Sequence, residues 1–574
     1  MASICAALLT ACLYAGLISW LSSISEVRLY SAAQLGVAVF YGVVLAAWAG
    51  AEAGFYLGSK LTPYSALADE EDAGMSELGA SVGSGAGSRT ASGTVDSGGD
   101  DSGSVVSGVE CPLVSDVKSE PLELSAQPTL FGLKHSHLNV LRAMGEFTLI
   151  MGYVYLCDRT TCIPKGAKVH SRLNFWGLNG VILLIALCTL RAAPQRGPVE
   201  TAAKPLQRDQ TEEWKGWMQL MFILYHYFVA TEIYNAIRIY IAAYVWMTGF
   251  GNFSYYYIKR DFTLVRFVQM MWRLNFFVFF MCITMNNEYM LYYICPMHTF
   301  FTLTVFIPLF IGHRYNSSDL VCTMKIGISF LVAVLLYHVP AVFNAAFSPM
   351  MALLRFEDPL HPEFNSDPLH EWFFRSGLDH LVWVFGMLCA LCYPSFERKL
   401  SEVEALPRER RLATKGAVVG CVLAVLFGWR LRYFSLGKRQ YNAVHPYTSW
   451  IPILCYLILR NLSPLMRTYS MHLFSWCGKV TLETYILQFH IWMKTTGLNG
   501  SPKYLMVWVP DHYWINFALT SAVYFFVSYR VFKITVVLRD ACIPNETADI
   551  VRRAGSIALG SAAFYAIGLA LQSL

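Results

Sequence analysis

The sequence predicts an all-α, polytopic transmembrane bundle of about 13–15 spans, and three observations carry that prediction. Over 574 residues, 55% are hydrophobic and only 14% are charged, with a mean hydropathy of +0.42. Apolar segments of near membrane-crossing length recur from one end to the other, separated by short polar joints. Charge is partitioned: residues 59–134 hold twelve acidic and four basic side chains, which leaves 40 basic against 27 acidic elsewhere. A soluble domain of this size would not tolerate so many long apolar runs, and a basic membrane part suits positive cytosolic loops and an anionic ligand.

Taken in order, residues 1–24 are apolar with no Lys or Arg ahead of them, and a second apolar run follows at 34–57. The two read as an N-terminal transmembrane hairpin over 1–58 and not as a cleaved signal peptide. Residues 59–134 are rich in Ser, Gly and Asp, too poor in apolar surface to fold, and read as a disordered loop. Residues 135–550 read as a multi-span domain and 551–574 as a final transmembrane helix. Spans are expected near 138–157, 173–190, 217–236, 237–250, 263–285, 289–312, 322–346, 378–394, 414–430, 449–461, 479–494, 514–537 and 554–573.

Orientation is weakly encoded. The joint at 395–415 carries six Lys/Arg against four Glu, and residues 429–440 carry four cations and no acid. If one span separates them, they lie on opposite sides of the membrane. Two basic joints cannot then both be cytosolic, so either the run between them is re-entrant or one of them faces the lumen and serves a ligand. The fifteen cysteines are scattered, mostly within apolar runs. The lone C-x-x-C, Cys389 and Cys392, has no second pair and no nearby histidine suited to zinc, so no metal is expected.

The stretch 211–298 concentrates the unusual chemistry. It is apolar enough to enter a bilayer, yet it carries Lys215, His226, Glu232, Arg238, Lys259, Arg266 and Arg273. Ionisable groups in hydrocarbon are costly and point to function. Lys215 and His226 are eleven residues apart, which returns to nearly the same helix face about 16 Å along the axis. Lys259, Arg266 and Arg273 repeat every seven residues and would draw a basic stripe down a helix wall. The first pattern is read as a reactive histidine, with a structural histidine as the alternative; the second fits a rail for an anion and equally cations snorkelling to the headgroups.

Later in the chain, Glu483 and His490 are again seven apart, about two turns on one helix face, an arrangement in which a carboxylate can fix the histidine tautomer or the pair can clasp two helices. His445 precedes a proline and is expected in a turn at a membrane face. His298 and the His313–Arg314 pair are expected as polar caps at an interface. The segment 355–380, with His361, His370, Glu371, Arg375, Asp379 and His380, is expected to form a lid that meets substrate.

Long strings of this chain resemble a known family. WKGWMQLMFILYH (214–226), YNAIRIYIAAYVWMTGFGNFSYYY (234–257), MMWRLNFF (270–277) and YYICPMH (292–298) are similar to the multi-span membrane O-acetyltransferases of fungal capsule synthesis and animal sialate acetylation. HEWFFRSGLDH (370–380), YNAVHPYTSWIP (441–452) and GKVTLETYILQFHIW (478–492) look most like the reduced-wall-acetylation proteins of plants and algae. The resemblance covers most of 138–545. A more distant likeness is to a bacterial membrane acyltransferase pattern, matched here by Lys215, Gly216, Tyr225 and His226.

The resemblance implies a Golgi membrane protein that uses acetyl-CoA to O-acetylate cell-wall polysaccharides. Its implied partners are the bilayer, acetyl-CoA, and a polysaccharide acceptor or a luminal acetyltransferase, with no nucleic acid. Under that reading His226 is a base or acetyl-carrying nucleophile supported by Lys215, Glu483 and His490, while Arg238, Lys259, Arg266 and Arg273, with His445 at an entrance, bind the donor. Animal relatives carry an esterase-like domain ahead of the membrane part, where this sequence has only the apolar hairpin and the polar tract. A transporter of the acetyl donor is the competing class, although no inverted repeat is legible.

Overall fold

The computed structural model describes residues 31–61, 135–192, 204–352, 356, 367–495 and 499–573. The first arm of the expected 1–58 hairpin, nearly all of the 59–134 tract, and His361 lie outside the described residues. In chain order the elements are α1 (Ala32–Leu61), α2 (His135–Arg159), β1 (Lys165–Ala167), α3 (Arg172–Cys188), β2 (Leu190–Ala192), α4 (Arg208–Phe228), α5 (Tyr234–Lys259), α6 (Leu264–Met285), α7 (Ile294–Phe310), α8 (Asp319–His338) and α9 (Pro340–Phe347). There follow α10 (Pro368–Gly377), α11 (Val382–Ala405), α12 (Arg408–Trp429), α13 (Lys438–Thr448), α14 (Trp450–Asn461), α15 (Pro464–Thr468), β3 (Tyr469–Met471), α16 (His472–Lys479), α17 (Thr481–Leu487), β4 (Met493–Thr495), β5 (Pro502–Met506), α18 (Tyr513–Cys542) and α19 (Thr547–Gln572).

The fold is all-α and polytopic. Among the described residues, eight helical segments are long and apolar enough to cross a membrane, and α3, α7 and α14 are shorter apolar helices. Leu184, Leu331, Phe427 and Leu559 are among the apolar side chains exposed on the outside of the bundle. That is where hydrocarbon, which needs no hydrogen bonds, meets the protein.

Two strand sets are minor additions. β1–β5–β4 form an antiparallel sheet with Gly166 opposite Leu505 and Met493 opposite Leu505, and β2 pairs with β3. The sheet ties the α2–α3 joint to the α17–α18 joint at one end of the bundle.

Helices α4 and α5 form the buried centre. Their outward neighbours approach closely because small residues face each other. A Cβ on Gly216 would strike the Phe474 carbonyl of α16, and one on Gly478 would strike the Glu212 carbonyl of α4. Gly249 of α5 and Gly386 of α11 make the same reciprocal notch against Trp383 and Trp246. The glycine beside Lys215 is therefore a packing notch. Trp246, Tyr227 and Trp492 are essentially buried in the same bundle, and the Tyr227 and Trp492 rings lie 4.4 Å apart at the far end of α4.

Several expected spans are rearranged. The runs at 217–236 and 237–250 are divided at Val229–Ile233 and not at 236, since Val229 turns left-handed (φ 52°) and ends α4. The run at 479–494 is not one α-helix: after α17 the chain widens into a π-turn at Gln488–Trp492 and then becomes β4. The two basic joints are separated by Arg408–Phe434, a helical segment of 27 residues long and apolar enough to span, so they lie at opposite ends of it.

Candidate functional site

α4 presents His226 in its last turn, and its termination shapes the site. A β-branched residue in the left-handed region is strained. Val229 takes that conformation and donates its N–H to the Tyr225 carbonyl, closing the helix three residues after the histidine. Lys168, from the joint between β1 and α3, donates to the His226 carbonyl (3.0 Å) and to the Pro502 carbonyl (2.7 Å). The His226 ring lies nearly edge-on to Phe222 and Tyr225, with centroids 4.7 and 5.0 Å away.

His226 borders a cavity of about 860 Å³ at the end of the bundle that holds the sheet. Among the described residues, its walls carry Lys168, Arg238, Arg375, Lys438 and Lys503 against Glu288 and Glu371. Arg238 lies in the second turn of α5 and is buried; its Nε donates to the Tyr234 hydroxyl (3.0 Å), while its Nη1 is buried without a hydrogen-bond partner. Lys438 sits 4.8 Å from the centre of the Tyr234 ring. Arg375 pairs with Glu371 (3.1 Å) and lies 4.6 Å from the centre of the Tyr293 ring. Burial brings the Lys168 ammonium down to about 8. A partly apolar cleft with a net excess of cations and a buried, unsatisfied guanidinium suits an anionic ligand carrying hydroxyl groups.

The expected site residues divide. His226 and Arg238 border this cavity; the other seven do not. Lys215 pairs with Glu212 (2.7 Å) and borders a second, smaller cavity nearer the start of α4. Glu483 and His490 do not support each other, because the π-turn breaks the spacing that would align them. Glu483, fully buried, is held bidentately by Arg273, one arm at 3.0 Å. His490 is fixed by Asp158 (2.9 Å) and the Tyr292 hydroxyl (2.5 Å).

The basic stripe is broken too. Lys259 ends α5, Arg260 turns left-handed, and Thr263 caps the start of α6, so Arg266 and Arg273 belong to a different helix. Arg266 stacks 4.2 Å from the Tyr255 ring centre. His445 is not in a turn at a membrane face: it lies fully buried in α13, which carries Pro446 inside it, with its Nε2 3.5 Å from Asp379 and Nδ1 3.2 Å from the Tyr441 hydroxyl. His298 is not an interfacial cap either. It is buried in α7 against Thr248 (2.6 Å), whereas His313 and Arg314 are exposed just beyond that helix.

Of the expected lid, Glu371 and Arg375 reach the cavity wall from α10, while Asp379 and His380 are buried. Lys438 belongs to the basic joint at 429–440, the one signal that pointed to it. Lys168 follows β1 and Lys503 lies within β5, and neither had a sequence signal. Among the described residues, no group of three His, Cys, Asp or Glu side chains converges as a metal site.

A polytopic helical bundle with a histidine in a cationic cavity near one membrane face defines a class of membrane enzyme or carrier. Residues 114–555 match the 10 TM acyl transferase domain found in Cas1p, and the chain belongs to that family of membrane acyltransferases. It is 31% identical over 453 residues to the N-acetylneuraminate (7)9-O-acetyltransferase of Danio rerio, which covers 75% of this chain and 54% of the relative. The chain thus spans about half the length of the curated relative it matches. No solved structure matches it.

Proposed function

We propose that this protein is a membrane O-acetyltransferase that moves acetyl from acetyl-CoA to a glycan hydroxyl, with His226 as the general base. The observation that carries this reading is the placement of His226 on the wall of a roomy, cationic cavity, in a chain of the acyltransferase family. In the reaction the acceptor oxygen attacks the thioester carbonyl, the C–S bond breaks as the C–O bond forms, and the hydroxyl proton passes through His226 to the departing thiolate. Arg238, Lys438 and Arg375 hold the anionic part of the ligand and place positive charge near the oxyanion. Lys215, Glu483 and His490 support the bundle around the site, Arg273 borders the smaller second cavity, and Lys259, Arg266 and His445 lie outside both.

The acceptor class follows from relatives. The fish protein's name specifies a sialic acid, an anionic sugar, which suits the excess of cations. The likeness to reduced-wall-acetylation proteins favours a cell-wall polysaccharide in the Golgi, acetylated directly or through a luminal partner. Replacing His226 by Ala should abolish acetyl transfer in purified, folded protein, and full activity in that variant would reject the assignment. A donor transporter is the second reading, favoured by the burial of so many charges in the bundle. Acetyl-CoA labelled separately on acetyl and CoA, supplied to one face of proteoliposomes, separates the two: entry of both labels together means transport.

A further inference from the structure

The second cavity, about 110 Å³, is separated from the first by Tyr485, whose side chain borders both. It lies among Glu212, Lys215 and Gln219 of α4, Arg273 of α6 and Thr481 of α17, and exposed Lys479 marks its mouth. Along α4, Lys215 is about 16 Å from His226, so the two cavities occupy successive depths of the bundle. Tyr485 is wedged between them, 6.0 Å from Phe222 and 6.4 Å from Tyr293 by ring centroids.

The chemistry of the small cavity differs from that of the large one. Inside it the charges are paired, Lys215 with Glu212 and Arg273 with Glu483, and the remaining cation of its wall, Lys479, stands exposed at the mouth. The uncharged polar groups of its wall include the Gln219 amide, which donates to Thr484 at 3.1 Å, the Thr481 hydroxyl, the Tyr244 hydroxyl, which donates to the Lys215 carbonyl, and the His298 ring, held by Thr248 at 2.6 Å, in a space too small for a nucleotide. Such a slot suits a narrow, uncharged chain that carries amides and ends in a small acyl group. The large cavity, with five cations, suits the anionic reactant.

Resting on the O-acetyltransferase reading, we infer that the small cavity is the passage for the donor's pantetheine arm, and that Tyr485 is the partition past which the thioester reaches His226. The nucleotide then stays outside, near Lys479, and the two substrates approach His226 from opposite ends of the bundle.

The first test is Thr481→Cys in proteoliposomes, alkylated in the presence of pantetheine, acetyl-CoA or inorganic phosphate and read by the mass of the modified peptide, since the chain has fifteen cysteines of its own. Pantetheine and acetyl-CoA should each protect the thiol from one face only, and phosphate should not. Protection should persist when His226→Ala is added, because binding does not need the base. An unprotected thiol at acetyl-CoA concentrations that saturate transfer would overturn the passage. Gln219→Trp, which fills the slot, should lower transfer from acetyl-CoA by about a hundredfold; unchanged transfer would likewise overturn it. Should wild-type protein prove to transfer no acetyl yet show protection, the acetyltransferase reading fails and the binding slot stands.

Discussion

At the scale of single residues, the site depends on which charges are already neutralised. Lys215, Arg273 and Glu483 are the most conspicuous charges in the sequence, and each is committed to a partner in the fold. Arg238 retains a buried Nη1 without a hydrogen-bond partner, so Arg238→Gln should raise KM for the anionic reactant about tenfold or more while protein stability changes little, as checked by steady-state kinetics beside thermal unfolding. Lys168 titrates near 8 because burial disfavours its charge. Its ammonium helps bind an anion below that pH and is lost above it. Affinity for the anionic reactant should therefore fall as pH rises through about 8, and Lys168→Met should remove that inflection in binding measured from pH 6 to 9.5.

At the scale of elements, glycine notches and one buried ion pair hold the site in place. Gly216 and Gly478 let α4 and α16 touch backbone to backbone, which fixes the wall of the second cavity beside Lys215. Gly216→Leu has no room to relax into and should cost at least the ~1–3 kcal/mol typical of overpacking, seen as a lower unfolding midpoint in detergent. Glu483→Gln leaves Arg273 without its carboxylate partner inside the bundle; a loss of about 3–5 kcal/mol is expected, and Arg273→Met in the same protein should recover part of it. The local signals that were readable concerned spacing, and spacing holds only while the helix does. Lys215 and His226 do share α4, as the eleven-residue interval implied. Glu483 and His490 lost their alignment to a π-turn, and the Lys259–Arg266–Arg273 repeat lost its alignment to a helix break at Arg260, neither of which periodicity encodes.

At the scale of the whole molecule, the two ends of the bundle differ in charge and in task. The joint at 395–415 and the region around Arg460 and Arg467 lie at the end where α4 begins, and if the cations at 429–440 serve a ligand, the positive-inside bias leads us to expect that end in the cytosol. The large cavity with His226 and Lys438 then faces the other compartment. An N-glycosylation acceptor inserted at 435–437 should therefore be modified in microsomes, while Asn545, which sits in a sequon, should stay unmodified. The reverse pattern would invert the assignment of the two faces.

The sequence by itself determined the bundle, because crossing hydrocarbon requires long apolar helices whose signature is local and additive. It also marked His226 and Arg238 along with Lys215, Lys259, Arg266 and Arg273, since an ionisable residue in an apolar run is legible without knowing its neighbours. Only the tertiary structure decided which charges are spent on one another and which face a cavity. That outcome depends on distances between segments far apart in the chain, such as Lys168 against the end of α4 and Glu483 against Arg273. A cation's availability is a property of its surroundings, and the surroundings exist only once the helices have packed.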